Sequence, residues 1–184
     1  MVDKTAKNDG RLSFNPLKHI DPIGALCLVI FHFGWAKPVP VNPYFFKNRK
    51  WGTVAVAAAG PLSNFLSALL SAMMFSCFNK FIVMDGSIYA TQNLSIVGQF
   101  FILFSQINLG LFVFNLIPIP PLDGSKILAQ FLPAKTRYRY LSFERYGGLV
   151  LFVAVYFLHL GNMLSGTIQF LFYQIFNFVS RIFL

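Results

Sequence analysis

The chain has 184 residues, 56% of them hydrophobic and 11% charged, with a mean hydropathy of +0.62 and a formal net charge of +9. That much apolar side chain exceeds what a soluble core of this length buries, which excludes an ordinary soluble domain and describes an α-helical integral membrane protein in a lipid bilayer. The positive charge does not indicate nucleic acid, because membrane proteins carry Lys and Arg in cytoplasmic loops to set their orientation.

Met1 opens a polar stretch rather than a secretory signal, so membrane entry is expected to rest on internal segments. The stretch 11–50 is punctuated by Pro16, Pro22, Pro38, Pro40 and Pro43 and is not helical in character. Within it, the apolar run 23–33 covers only about half of the hydrocarbon thickness and reads as a re-entrant or interfacial segment. The alternation in Lys37-Pro38-Val39-Pro40-Val41-Asn42-Pro43 suits a short edge strand at the cytoplasmic membrane edge. An open edge holds an extended peptide by strand addition; a proline-stiffened loop between membrane segments is the other reading.

Four runs are candidate spans: 53–78, 94–116, 147–160 and 163–179. A crossing takes about 20 apolar residues, so the first two qualify and the last two are short, tilted or locally thinned, with Gly161-Asn162 as the turn between them. Lys4, Lys7, Arg11, Lys18, Lys37, Lys47, Arg49 and Lys50 precede the first span. Lys126, Lys135, Arg137, Arg139 and Arg145 lie between the second and third, whereas the loop 79–93 holds only Lys80. The positive-inside bias then predicts four crossings in one membrane domain over 1–184, with the N-terminus, the 126–146 loop and Arg181 in the cytoplasm.

The second run leads into Asn115-Leu116-Ile117-Pro118-Ile119-Pro120-Pro121-Leu122-Asp123-Gly124. Pro118, Pro120 and Pro121 cannot continue a helix, so it should unwind near Leu116, and irregular backbone at membrane depth persists only inside protein or beside a water-filled cavity. Two readings fit Asp123: an intramembrane acid that needs a cation and marks a functional site, or an N-cap for a short helix over 124–132 that ends at Pro133. Gly124 allows a sharp turn after it. Asn64, after Ala59-Gly60-Pro61, is either a substrate-binding amide or a helix-packing one, and Asn115 either braces the unwound segment or is satisfied within the bundle. His19, His32 and His159 show no i, i+4 pair, and Cys27 and Cys77 no CxxC spacing, so the residues alone provide one good metal ligand.

Several stretches in order resemble the site-2 protease family of intramembrane zinc metalloproteases, in its compact bacterial branch. They are Gly10 onward through Pro16, His19 and Pro22; Phe33-Gly34-Trp35 with Lys37, Pro38, Val39, Pro40, Val41 and Asn42; Ala59-Gly60-Pro61-Leu62-Ser63-Asn64; and Asn115 through Gly124. The resemblance implies that Asp123 is a zinc ligand, Asn64 a substrate-orienting or transition-state amide, and 37–42 with Asn115 a docking region. It also implies membrane-anchored protein substrates or clients. In that family two His of an HExxH helix complete the zinc site and its Glu acts as general base. No HExxH occurs here. Since that helix lies upstream of the stretch resembled by Lys4 to Gly10, the expectation is an N-terminally truncated protease, inert as given. The alternative is a non-catalytic membrane binding or regulatory pseudoprotease; a channel or transporter is a weaker third reading.

Overall fold

Two long apolar helices frame the molecule because their sequences give a helix nothing to stop at and a bilayer nothing to reject. In the computed structural model, which describes residues 13, 15, 19–31, 34, 42–85 and 88–183, helix α2 spans Arg49–Asp85 and α3 spans Ile88–Asn115. Asn48 starts α2 by accepting the Trp51 N–H through Oδ1 at 3.2 Å. The helices extend past the apolar runs at both ends of the expected 79–93 loop, so polarity there marks the edge of the apolar layer and not the end of the helix. Pro61 sits inside α2 without ending it.

Small residues bring α2 and α3 together. Ala68, Ala72, Ser105 and Leu109 are all fully buried, and the two hydroxyls at the seam reach across it: Ser105 donates to the Ala68 carbonyl at 3.0 Å and Ser71 to the Phe101 carbonyl at 2.8 Å. Phe65 meets Phe112 with centroids 5.2 Å apart and Phe78 meets Phe101 at 5.8 Å, fixing an antiparallel register. Leu66, Leu70, Leu103 and Ile107 point outward, as lipid contact requires.

Before the frame lies α1, Pro22–Phe31, in a stretch expected to be non-helical. Its prolines misled: Pro22 occupies the first helical position, where a missing N–H costs nothing, and Asp21 caps the helix by accepting the Gly24 N–H at 2.9 Å. At ten residues it is too short to cross a bilayer. Of the strand expected over 37–43, residues 37–41 lie outside the described residues, among which there is no strand. Asn42 is extended, and its Oδ1 accepts the Tyr44 N–H at 3.0 Å to open a 3₁₀ turn at Pro43–Phe45.

After α3 come α4 (Asp123–Ala129), α5 (Ala134–Ser142), a 3₁₀ turn at Phe143–Tyr146, α6 (Gly147–Tyr156) and α7 (Leu160–Phe183). Of the four expected crossings, α2 and α3 alone are long and apolar enough by themselves; the 134–156 and 160–182 helices, bent by 77°, qualify only as one broken pair, giving up to three. The break falls at His159, which adopts φ 51°, and Gly161-Asn162, expected as the turn, already belong to α7. Helix α7 runs antiparallel to α3. Ile168 lies against Gly110, Phe172 shares a cavity wall with Gln106, and Phe176 meets Phe75, the neighbour of Gly98. Arg181 is thereby carried toward the end of the bundle opposite Asn115, not to the end of the basic loops where it was expected.

Candidate metal-ligand site at the unwound end of α3

Helix α3 stops at Asn115, one residue before the expected point, and the proline-bearing segment that follows closes on itself through local bonds. The Ile117 N–H reaches the Phe114 carbonyl at 3.2 Å, Ile119 reaches Ile117 at 2.9 Å and Leu122 reaches Ile119 at 2.9 Å, across a cis Pro120–Pro121 bond. Backbone groups that no helix satisfies are met here by turns and by a side chain, since the Tyr140 hydroxyl of α5 donates to the Pro118 carbonyl.

Two glycines set how tightly this segment folds. A methyl group at Gly124 would lie 2.2 Å from the Leu116 carbonyl oxygen, and one at Gly147 would lie 2.4 Å from Pro121 Cδ. Gly124 is therefore required by close approach. It lies within α4, not in the sharp turn expected after Asp123. Helix α4 begins at Asp123 itself, so Leu122 holds the N-cap position and the capping role considered for Asp123 does not apply. The carboxylate instead occupies the first turn, where the helix dipole favours a negative charge.

Helix α4 lies antiparallel along the first half of α2. At one end a methyl group at Gly60 would sit 3.1 Å from Asp123 Oδ2; at the other, Lys50 Nζ stands 4.4 Å from the Phe131 ring centroid and Trp51 meets the same ring at 6.3 Å. A side chain at 60 would crowd the carboxylate, which would have to give by a few tenths of an ångström. Asn64, half-buried, follows Gly60 by one helical turn and so shares the face of α2 turned toward Asp123. Asn115, also half-buried, is the last residue of α3. The structure thus brings Asp123 to the α2 face that carries Asn64.

The other carboxylate oxygen already has a cation. Lys126 Nζ lies 3.2 Å from Asp123 Oδ1, with the two side chains 41% and 29% exposed. Lys126 counted in the sequence only as loop charge, although Asp and Lys three apart in a helix are expected to meet. Tyr140, Gly147 and the Lys50–Phe131 contact were also missed. They are tertiary pairings, 22 residues apart or more, and no local spacing signals them.

Residues 4–161 match the model of peptidase family M50. The chain belongs to peptidase family M50, the site-2 proteases. The match covers the α1 region, α2, α3, the unwound segment and α4 to α6, and ends as α7 begins. The chain is also 39% identical over 151 residues to the Bacillus subtilis (strain 168) protein named "Putative zinc metalloprotease YwhC", covering 82% of this chain and 67% of that one. No solved structure matches the chain. Zinc is the cofactor that M50 membership leads one to expect, and the donor set can be tested against it. Protein zinc sites use three or four N, S or O donors. Among the described residues no three His, Cys, Asp or Glu side chains gather to hold a metal, and Asp123 stands with an ammonium group, not with histidines. These residues by themselves do not fit a zinc centre.

Proposed function

We propose that this chain supplies the aspartate-bearing part of an intramembrane metalloprotease site, and that the histidine donors completing it belong to residues beyond these 184. Membership of family M50 and the named relative support the metalloprotease reading. About a third of that relative lies outside the match, which leaves room for the missing donors. The single observation that carries the reading is the packing of Asp123 against Gly60, since it presents a carboxylate to a span bearing the Asn64 amide. In this reading Asp123 is a metal ligand and Asn64 orients the substrate backbone. Segment 37–42 and Asn115 hold an unwound stretch of a membrane-anchored protein, and the N-terminal side of α2 faces the cytoplasm. The 184 residues alone are inert.

One observation favours a second reading, a non-catalytic membrane module that binds clients: Lys126 already neutralises Asp123. The two readings separate in a chain extended at its N-terminus by an in-frame apolar helix containing HExxH. Under the protease reading the extended chain cleaves a membrane-anchored reporter and Asp123→Asn abolishes cleavage while membrane insertion is unchanged. If the extended chain cleaves equally well with Asn at 123, Asp123 is not a ligand; if the extended chain is inert, the binding module is the better account.

A further inference from the structure

Helix α7 arranges its polar residues differently from α2 and α3. Asn162, Ser165, Gly166, Gln169, Tyr173 and Asn177 recur every three or four positions and so form one stripe. The opposite face is the one that packs inward: Ile175 and Val179 are 8% and 1% exposed and join Ala68, Ala72 and Leu109 in the core between the two spans. The stripe therefore runs at membrane depth on the outside of the bundle, where Asn162, Ser165, Gln169 and Tyr173 are exposed. At the same depth α2 and α3 expose chiefly leucine, isoleucine and phenylalanine, with Gln106 an exposed carboxamide on α3. Hydrocarbon gives carboxamides and hydroxyls no partner, and polar side chains at such positions hydrogen-bond across helices.

A cavity of about 230 Å³ opens beside the stripe, between α3 and α7, lined by Gln106, Gly161, Ser165 and Gln169 among others. Ser165 is satisfied within its own helix, donating to the Asn162 carbonyl at 2.7 Å. Among the described residues, no hydrogen bond takes up the carboxamides of Gln106 and Gln169.

We propose that this stripe is the contact surface for a second copy of the chain, packed as a two-fold pair with Gln169 near the axis and its carboxamide entering the partner copy's Gln106 cavity. Three features fit a copy of itself. Helix α7 carries no charge from Asn162 to Ser180, so the surface does not repel its own image. A carboxamide is donor and acceptor at once and is complementary to itself across a two-fold axis. Ser165 and Gly166 let two backbones come close. The stripe from 162 to 177 is about 22 Å long, most of the hydrocarbon thickness of ~30 Å. It lies beyond the residues matched to family M50, so the inference stands apart from the protease reading.

The test uses the full chain with Cys27→Ser and Cys77→Ser, reconstituted in vesicles, and single cysteines placed along α7. Oxidation should give a disulfide-linked dimer most readily at Gln169→Cys, then at Ser165→Cys and Tyr173→Cys, and not at Thr167→Cys or Phe178→Cys. Energy transfer between labelled chains should show Asn162→Leu with Gln169→Leu weakening association about tenfold, whereas Gln169→Asn, which keeps the carboxamide, stays dimeric. Monomers at every protein density, cross-linking without this periodicity, or association unchanged by the double leucine substitution would each overturn the proposal.

Discussion

At Gly124 the unwound segment and the helix after it are pressed backbone to backbone, and a methyl group there would meet the Leu116 carbonyl oxygen at 2.2 Å. Backbone cannot yield as a flexible side chain does, so Gly124→Ala should cost about 1–3 kcal/mol. Gly161, with nothing within 4 Å of an added methyl, is the control: Gly161→Ala should be neutral or stabilising by ~0.5–1 kcal/mol through helix propensity. Unfolding in detergent micelles measures both, and equal effects would contradict the close approach. Lys126→Met removes an ion pair that is partly exposed at both ends, so a loss under about 1 kcal/mol is expected in the same assay. Asp123 was legible from the sequence because an acid is conspicuous amid apolar residues and prolines. What surrounds it was less so: Gly124 read as a turn when its purpose is contact, and Lys126 read as orientation charge when it faces the carboxylate.

Helices α2 and α3 are joined by residues that occupy little space, so size matters more at their seam than hydrophobicity. Ala68→Leu, into a position with no exposed surface, should destabilise by about 1–3 kcal/mol. Leu70→Ala, on the side that is 60% exposed, should change stability by less than about 0.5 kcal/mol. The reverse order in a detergent unfolding series would mean that the helices meet through another face. The existence of these helices and the end of α3 were readable from apolar run length and from Pro118. Their outer ends were not, because helix geometry continues into polar sequence wherever no breaker stops it. Proline alone was a poor guide in the other direction: Pro22 opens α1 and Pro61 sits within α2.

For the whole molecule, composition sufficed to place the chain in a membrane, while counting crossings from charge did not. Four runs became two clear spans and a bent pair, and the antiparallel packing of α7 on α3 sends Arg181 away from the basic loops. Impermeant thiol labelling of Lys47→Cys, Lys135→Cys and Arg181→Cys, each with both native cysteines replaced, should find the first two on one side and the third on the other. All three on one side would restore four crossings. The site shows the same division between what local sequence states and what folding adds: one candidate ligand is written into the motif, and the other donors that zinc requires are not gathered among the described residues. The most direct measurement is therefore the zinc content of the purified 184-residue chain after equilibration with the metal. The account predicts far less than one zinc per chain, unchanged by Asp123→Ala; one tightly held zinc per chain, lost in Asp123→Ala, would contradict it.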